Sequence, residues 1–167
     1  MGGVSAPRPL NGYFDLSLFD CGNDGLNAWL KKYALKNQET GSSRTFVVTS
    51  KKRVVGYYAL ATGSVERRLS PSMISRNSPN PIPVMVLGRL AVDISMQSKG
   101  IGSGLLKDAV LRVYRVSHDV GFKALLVHAI SPQAKDFYLQ YGFAESPLES
   151  MTLMLPISDI SALLDTG

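Results

Sequence analysis

The sequence predicts an α+β fold in which helices flank a mixed central β-sheet. Helical and strand patterns follow one another as helix, two strands, loop, strand, helix, strand, helix and strand, an order that suits a sheet covered by helices. The length of 167 residues suits one domain over 1–167, and 45% hydrophobic with 19% charged residues is typical of a globular protein. A single folded domain is therefore expected.

The first part of the chain predicts a helix and then an antiparallel hairpin. Asp24 can cap the helix and Gly41 can end it. Its apolar face, at helical spacing, consists of Leu26, Trp29, Leu30 and Tyr33. Residues 45–49 and 54–62 are rich in β-branched and aromatic residues, which predicts two paired strands.

Residues 63–83 interrupt this pattern with four prolines among serines and arginines, which disfavours both helix and central strand. We expect a long functional loop, and a disordered insert is the alternative. The remaining predicted elements are a strand at 84–94, a helix at 102–120, a strand at 124–129, a helix capped by Ser131, a strand at 151–155 and a short helix capped by Ser158. The predicted buried side of the helix at 102–120 consists of Leu105, Leu106, Ala109, Val113 and Val116.

The turn between the strand at 84–94 and the helix at 102–120 predicts an anion site. Glutamine, two residues, glycine, one residue and glycine run from Gln97 to Gly102. Glycines let the backbone approach an anion, and the helix start adds N–H groups and a positive dipole end. The P-loop pattern fails because Ile101 follows Gly100 where lysine is needed, and the glycines are too evenly spaced for a dinucleotide fingerprint. An ordinary strand-to-helix turn remains the alternative.

The charge is unevenly distributed along the chain. The net charge is +5, but residues 28–99 hold twelve Lys or Arg against three acidic residues, a balance of +9, and the remainder is −4. A polyanionic partner fits this balance, because neutralised phosphates release counterions. A merely solvated basic surface is the alternative.

Other site classes have little support in the sequence. Cys21 is the only cysteine, which excludes an internal disulfide, and two histidines without clustered carboxylates provide no metal-ligand set. No apolar run approaches the roughly 20 residues that span a bilayer, and residues 1–10 lack the apolar core of a secretion signal. We expect a cytoplasmic protein without a metal.

Two motifs in sequence order resemble the GNAT superfamily of N-acyltransferases. The segment from Leu87 to Ala109 resembles its acetyl-coenzyme A site, and the segment from Ala134 to Phe143 resembles its late helix and the start of its last strands. The resemblance implies a GNAT fold with two splayed parallel strands and acetyl-coenzyme A as cosubstrate. It also implies that Tyr138 lies near the coenzyme sulfur and donates a proton to the leaving thiolate; a half-buried structural aromatic is the alternative for Tyr138.

The same resemblance implies a cofactor-binding set made largely of main-chain groups. Strand residues would hold the pantetheine arm, and N–H groups of the turn would hold the pyrophosphate. The implied residues are Leu90, Ala91, Val92, Gln97, Ser98, Lys99, Gly100, Ile101, Gly102, Ser103, Ser131 and Lys135.

Nearly the whole chain further resembles the TacT group of toxins, departing mainly beyond Glu145 and in residues 65–75. The matching segments are residues 30–31, 35–38, 43–47, 57–61, 76–77, 79–84 and 87–93. The resemblance implies acetylation of the α-amino group of aminoacyl-tRNA, which blocks translation. It also implies a cognate ribbon-helix-helix antitoxin, operator DNA bound by the toxin-antitoxin complex, and a homodimer.

Charged residues suggest where RNA would bind, since arginine and lysine match phosphate oxygens. The candidates are Lys32, Lys36, Arg44, Arg76 and Arg89. Two alternative functions stay open, namely acetylation of a small amine or a protein N-terminus, and a non-catalytic regulator that binds nucleic acid.

Overall fold

A computed structural model describes residues 3–166 of the chain, and side chains as far as residue 161. Its strands belong to a seven-stranded mixed sheet in the order β1-β2-β3-β4-β5-β7-β6. The strands are β1 (Arg8–Pro9), β2 (Arg44–Ser50), β3 (Arg53–Val65), β4 (Ile82–Val92), β5 (Ala124–His128), β6 (Ala144–Glu145) and β7 (Thr152–Pro156). The helices are α1 (Asp24–Trp29), α2 (Leu35–Thr40), α3 (Ser72–Ser75), α4 (Ile101–Val116), α5 (Pro132–Gln140) and α6 (Ile157–Thr166).

The chain forms two compact units, each built from two separate stretches. The first unit consists of residues 1–61 and 88–109, and the second consists of residues 62–87 and 110–167. The single domain expected over 1–167 stays a prediction, and Met1, Gly2 and Gly167 lie outside the described residues.

The first unit contains the predicted antiparallel hairpin. β2 pairs with β3 from Arg44–Leu60 to Ser50–Arg53, and β1 adds to the free edge of β2. Aromatic rings form much of the core under this sheet: Tyr57 stacks on Trp29 at 6.0 Å and contacts Phe19 edge-on at 5.5 Å. The hairpin prediction is confirmed, with strands longer than the sequence indicated.

The helical segment of the first unit differs from the prediction at its start and on its buried face. Asn23, not Asp24, is the capping residue, and its side chain accepts the N–H of Leu26. Residues Leu30–Ala34 form a π-helical turn between α1 and α2. The wider turn rotates the helix surface, so Ala34 is fully buried and Tyr33 is 52% exposed. The predicted end at Gly41 is confirmed by its left-handed φ of 86°.

The second unit contains the parallel strand pair that the sequence predicted. β4 pairs with β5 in parallel from Met85–Leu125 to Leu87–Val127. β7 then pairs antiparallel with both β5 and β6. Its core cluster consists of Val65, Ile74, Ile82, Val84, Ala124, Leu126 and Met154.

The predicted loop at 63–83 is more ordered than its composition indicated. β3 continues to Val65, Arg67–Leu69 forms a 3-10 turn, α3 adds one helical turn, and β4 already begins at Ile82. The expectation of one long loop is wrong, because Val65, Ile74 and Ile82 are buried apolar anchors that order the chain between them.

The later elements follow the prediction with smaller differences. α4 ends at Val116 instead of residue 120, so Val116 is 38% exposed instead of buried. Ser131 caps α5 with Pro132 in its first turn, as predicted. Ser158 lies inside the first turn of α6, not at its cap, because that helix begins at Ile157.

Candidate active site

The predicted anion turn in the first unit has left-handed backbone at two positions. Ser98 has φ of 64° and Gly100 has φ of 81°. Glycine adopts this conformation without strain, whereas a residue with a Cβ does not. A Cβ built on Gly100 would meet no atom within 4 Å, so the backbone there faces open space. The turn therefore leaves room for a ligand against its main chain.

The start of α4 supplies donors to this space. The Gly104 N–H bonds to the Gly100 carbonyl at 3.0 Å, and the Ser103 hydroxyl donates to the same oxygen at 3.1 Å. The N–H groups of Ile101, Gly102 and Ser103 have no acceptor within the part of the chain that the structure describes. Unpaired N–H groups at a helix start carry partial positive charge, which favours a phosphate.

Gln97 has a structural role that the sequence did not indicate. Its side-chain Nε2 donates to the Val92 carbonyl at 2.9 Å and to the Cys21 carbonyl at 3.2 Å. The side chain thereby ties the turn to the end of β4. One lone pair of the Val92 carbonyl is already occupied, which leaves its second lone pair for the pantetheine contact that the GNAT resemblance implies.

A buried carboxylate network holds the chain just before the turn. Asp93 is 2% exposed, and its Oδ1 accepts the Asp20 N–H at 2.9 Å. Its Oδ2 accepts from the Ser95 hydroxyl at 2.6 Å and pairs with the Arg53 guanidinium at 3.1 Å. Burial raises the pKa of Asp93, but the hydrogen bonds from Ser95 and Asp20 and the Arg53 charge together hold it below its usual value. Sequence reasoning missed this network because Arg53 and Asp93 lie 40 residues apart.

Four of the candidate RNA-binding residues lie in the first unit. Lys32 and Lys36 are exposed along the first helical segment. Arg44 is also exposed, but its Nη1 donates to the Gln38 carbonyl at 2.8 Å. Arg89 is half-buried with its guanidinium 4.3 Å from the centre of the Trp29 ring. The fifth candidate, Arg76, is exposed directly after α3 in the second unit.

Tyr138, the predicted proton donor, lies on α5 in the second unit and is 6% exposed. Its ring contacts Phe137 at 5.2 Å and Phe143 at 5.4 Å between centroids. Burial raises the pKa of the phenol to about 12, since a buried phenolate loses its hydration. The hydroxyl has no hydrogen-bond partner within residues 3–161. It therefore stays protonated at neutral pH and is free to donate.

Two further predicted cofactor residues on α5 already have partners. The Ser131 hydroxyl accepts the Ala134 N–H at 3.1 Å as the helix cap. The Lys135 ammonium pairs with the Glu145 carboxylate at 2.8 Å. Both contacts fix the start of the helix that carries Tyr138, and a cofactor role for either residue stays a prediction.

Within the described residues, no three His, Cys, Asp or Glu side chains come together as metal ligands would. No helix in residues 3–166 has the length and apolar character required to cross a membrane.

Comparison with known proteins adds a family and several relatives. Residues 18–152 match the family model described as an acetyltransferase (GNAT) domain. A tRNA-acetylating toxin of Mycobacterium tuberculosis is 43% identical over 164 residues, which cover 98% of this chain and 99% of that protein.

Solved structures also match along nearly the full chain. AtaT complexed with acetyl-methionyl-tRNAfMet has a TM-score of 0.89 at 29% identity, covering 97% of this chain and 99% of that one. A tyrosine-to-phenylalanine mutant of AtaT bound to acetyl-CoA and the C-terminus of the antitoxin AtaR has a TM-score of 0.82 at 29% identity, covering 96% and 98%. The AtaT-AtaR complex bound to DNA has a TM-score of 0.77 at 29% identity, covering 95% and 98%.

Proposed function

Because the chain belongs to the GNAT family of acetyltransferases, we propose that it is a toxin that moves the acetyl group of acetyl-coenzyme A to the α-amino group of aminoacyl-tRNA. Acetylation removes the amine needed for peptide-bond formation and so blocks translation. The observation that carries this proposal is the 43% sequence identity to a tRNA-acetylating toxin, which extends along nearly the whole chain.

The turn before α4 has the chemistry needed for the diphosphate of acetyl-coenzyme A. Backbone N–H groups from Gln97 to Ser103 would bind it, with Lys99 adding charge. Leu90, Ala91 and Val92 end β4 and would bond the pantetheine arm through main-chain groups, like an added strand. Open space at Gly100 and unpaired N–H groups at the start of α4 support this assignment.

Acetyl transfer forms a nitrogen–carbon bond and breaks the carbon–sulfur bond, so the departing thiolate needs a proton. Tyr138 supplies it in this proposal. A phenol with a pKa of about 12 is protonated throughout the physiological range, and no other group within residues 3–161 holds its hydroxyl. The phenol thus has a proton to give to the departing thiolate as general acid, and solvent returns a proton to the phenolate that is left.

The attacking amine needs little help from a strong base. An α-amino group has a reference pKa of about 7.7 to 8.0, so an appreciable fraction is neutral at pH 7. The neutral amine attacks the thioester carbonyl, and the proton it sheds after the attack passes to solvent. This route needs no histidine or glutamate beside Tyr138.

The charged tRNA would bind to the basic residues of the chain. Lys32 and Lys36 are exposed and available for phosphate contacts. Arg89 is held against Trp29, which fixes its orientation without neutralising its charge. Arg44 and Arg76 complete the proposed set.

The regulatory partners follow from the same assignment. We infer that a cognate ribbon-helix-helix antitoxin neutralises the protein, and that the pair binds operator DNA. A homodimer acting in the cytoplasm, where charged tRNA is used, completes the proposal. The AtaT-AtaR complex on DNA supports the antitoxin and operator parts.

A direct assay tests the proposed function. Purified protein is incubated with acetyl-coenzyme A and a set of charged tRNAs, and the released aminoacyl groups are analysed by mass spectrometry. The proposal expects an added acetyl group on the α-nitrogen and growth arrest when the protein is expressed without antitoxin. Acetylation of small amines or protein N-termini with unmodified tRNA would instead establish the first alternative, and absence of any acetyl transfer would favour a nucleic-acid-binding regulator.

A further inference from the structure

Two neighbouring cavities in the second unit share one wall. The larger is an open cleft of about 600 Å³ lined by Glu66, Arg67, Arg68, Ser75 and Asn80. The smaller has a volume of about 310 Å³, and Glu66 and Arg68 line it as well. A single ligand with two chemically different parts can therefore occupy both.

The cleft has the chemistry of a phosphodiester site. Arg67 and Arg68 are exposed, and the guanidinium of Arg67 has no partner within the described residues. The Asn80 side-chain oxygen accepts the Arg67 N–H at 3.1 Å, which fixes the backbone under that arginine. Arg68 pairs with Glu66 at 2.6 Å, but these side chains are 69% and 56% exposed. Such an exposed pair contributes little, so Arg68 can exchange the carboxylate for a phosphate.

The smaller cavity combines apolar walls with a polar chain of hydrogen bonds. Val65, Leu69, Val86 and Leu126 supply the apolar walls. His128 and Thr152 are opposite each other on β5 and β7, and their side chains bond at 2.9 Å. The Thr152 hydroxyl in turn donates to Glu149 at 3.2 Å.

The direction of these hydrogen bonds determines whether the free ring nitrogen of His128 donates to a ligand or accepts from it. Because the single Thr152 proton goes to Glu149, the His128 Nδ1 must donate its own N–H to the threonine oxygen. In the neutral ring, Nε2 then carries the lone pair and can accept an N–H. The volume of the smaller cavity is at the low end of the range for small-molecule sites. The cavity can therefore hold one aminoacyl group, but not a nucleoside as well.

We infer that the 3′ end of charged tRNA spans the two cavities. Its last phosphodiester lies against Arg67 and Arg68, and its aminoacyl group enters the smaller cavity, where the α-amine donates an N–H to His128 Nε2. The inference rests on the proposed function and adds to it the position and the orientation of the tRNA 3′ end. Arg67 and His128 contact the substrate at different groups and so have separable effects.

The experiment compares two short substrates that differ in their phosphates. One is an aminoacyl ester of adenosine, and the other is the same ester on a trinucleotide with the sequence of the tRNA 3′ end. Arg67→Ala, which removes a side chain that lines only the larger cleft, should raise the KM for the trinucleotide at least tenfold and leave kcat/KM for the adenosine ester within twofold. His128→Phe should lower kcat/KM for both substrates at least tenfold.

Matched controls separate contact from folding. Lys52→Ala removes an exposed charge from the β2–β3 turn and should change neither substrate more than twofold. Each variant should keep its affinity for acetyl-coenzyme A and its melting temperature within a few degrees, which shows that the fold survives.

Several outcomes would overturn the inference. Equal losses on both substrates in the arginine variant, or no loss on the trinucleotide, would remove the phosphate site. Intact kinetics with weakened antitoxin binding would assign the cleft to the antitoxin. Acetylation of charged tRNA by the wild-type protein without activity on either short ester would also contradict the inferred contacts. Absence of activity on charged tRNA itself would instead refute the proposed function.

Discussion

The two compact units present different kinds of chemistry. In the first unit, the turn before α4 offers main-chain N–H groups beside open space at Gly100. In the second unit, the candidate groups are side chains, namely the buried phenol of Tyr138 and the polar chain at His128. A main-chain site tolerates most side-chain changes but not changes in backbone conformation, whereas a side-chain site has the opposite sensitivity. Activity should therefore be lost through changes of backbone conformation in the first unit and through changes of side chains in the second.

The largest effect is expected from the side-chain site. Tyr138→Phe removes the proton donor and should lower the acetylation rate by roughly 10²- to 10⁴-fold with folding preserved. Single-turnover acetylation of charged tRNA measures the rate, and thermal unfolding checks the fold. Tyr141→Phe, at the end of the same helix, is the control and should remain near wild type. A near-normal rate in Tyr138→Phe would exclude the phenol from the mechanism.

The main-chain site should respond to backbone conformation. Gly100→Val places a β-branched residue at a φ of 81°, where the strain is about 1–3 kcal/mol. We expect acetyl-coenzyme A affinity to fall roughly 10- to 100-fold by calorimetry. Gly104→Ala is the matched control, because that helical position has open space and no left-handed φ. Equal losses in the two variants would show that glycine conformation is not what the turn requires.

The contacts of the buried Asp93 carboxylate, just before the turn, should make the stability of the protein depend on pH. Asp93→Asn weakens the pairing of Arg53 and should lower the unfolding free energy by ~1–3 kcal/mol at pH 7. The folded pKa of Asp93 is lowered, so its contribution is complete above the unfolded value and is lost as pH falls through the folded value. Urea unfolding should show the wild-type advantage shrinking below about pH 4. An advantage that stayed constant down to pH 2 would refute this role.

The smallest effect is expected at a single phosphate contact. Lys36→Gln should weaken tRNA binding at low salt and reduce the slope of log affinity against log salt by about 1. Acetyl-coenzyme A binding should not change. Lys107→Gln removes a comparable exposed charge from α4 and serves as the control. An identical salt slope for Lys36→Gln and wild type would remove Lys36 from the RNA surface.

The contrast between the units also explains what the sequence could predict. The turn between β4 and α4, with left-handed backbone at Gly100, was predictable because it depends on local glycine spacing, and its anion-binding role stays a prediction. The exposure of Tyr33 was not predictable. It results from the π-helical turn at Leu30–Ala34, and such a turn leaves no clear signal in hydrophobic periodicity.

Contacts between distant residues were the least predictable. Arg53 and Asp93 come together only through tertiary folding, and His128 faces Thr152 only through the register of β5 and β7. The ordering of residues 63–83 was hidden because prolines suggested a loop, whereas buried Ile74 and Ile82 decide its structure. Local backbone geometry was therefore predictable from the sequence, and contacts between distant side chains were not.

A crystal structure with bound coenzyme A tests the central claim most directly. We predict that diphosphate oxygens lie about 2.7–3.2 Å from backbone nitrogens between Gln97 and Ser103, with Gly100 retaining its positive φ. A diphosphate bound to side chains elsewhere, with those N–H groups facing only water, would contradict the account.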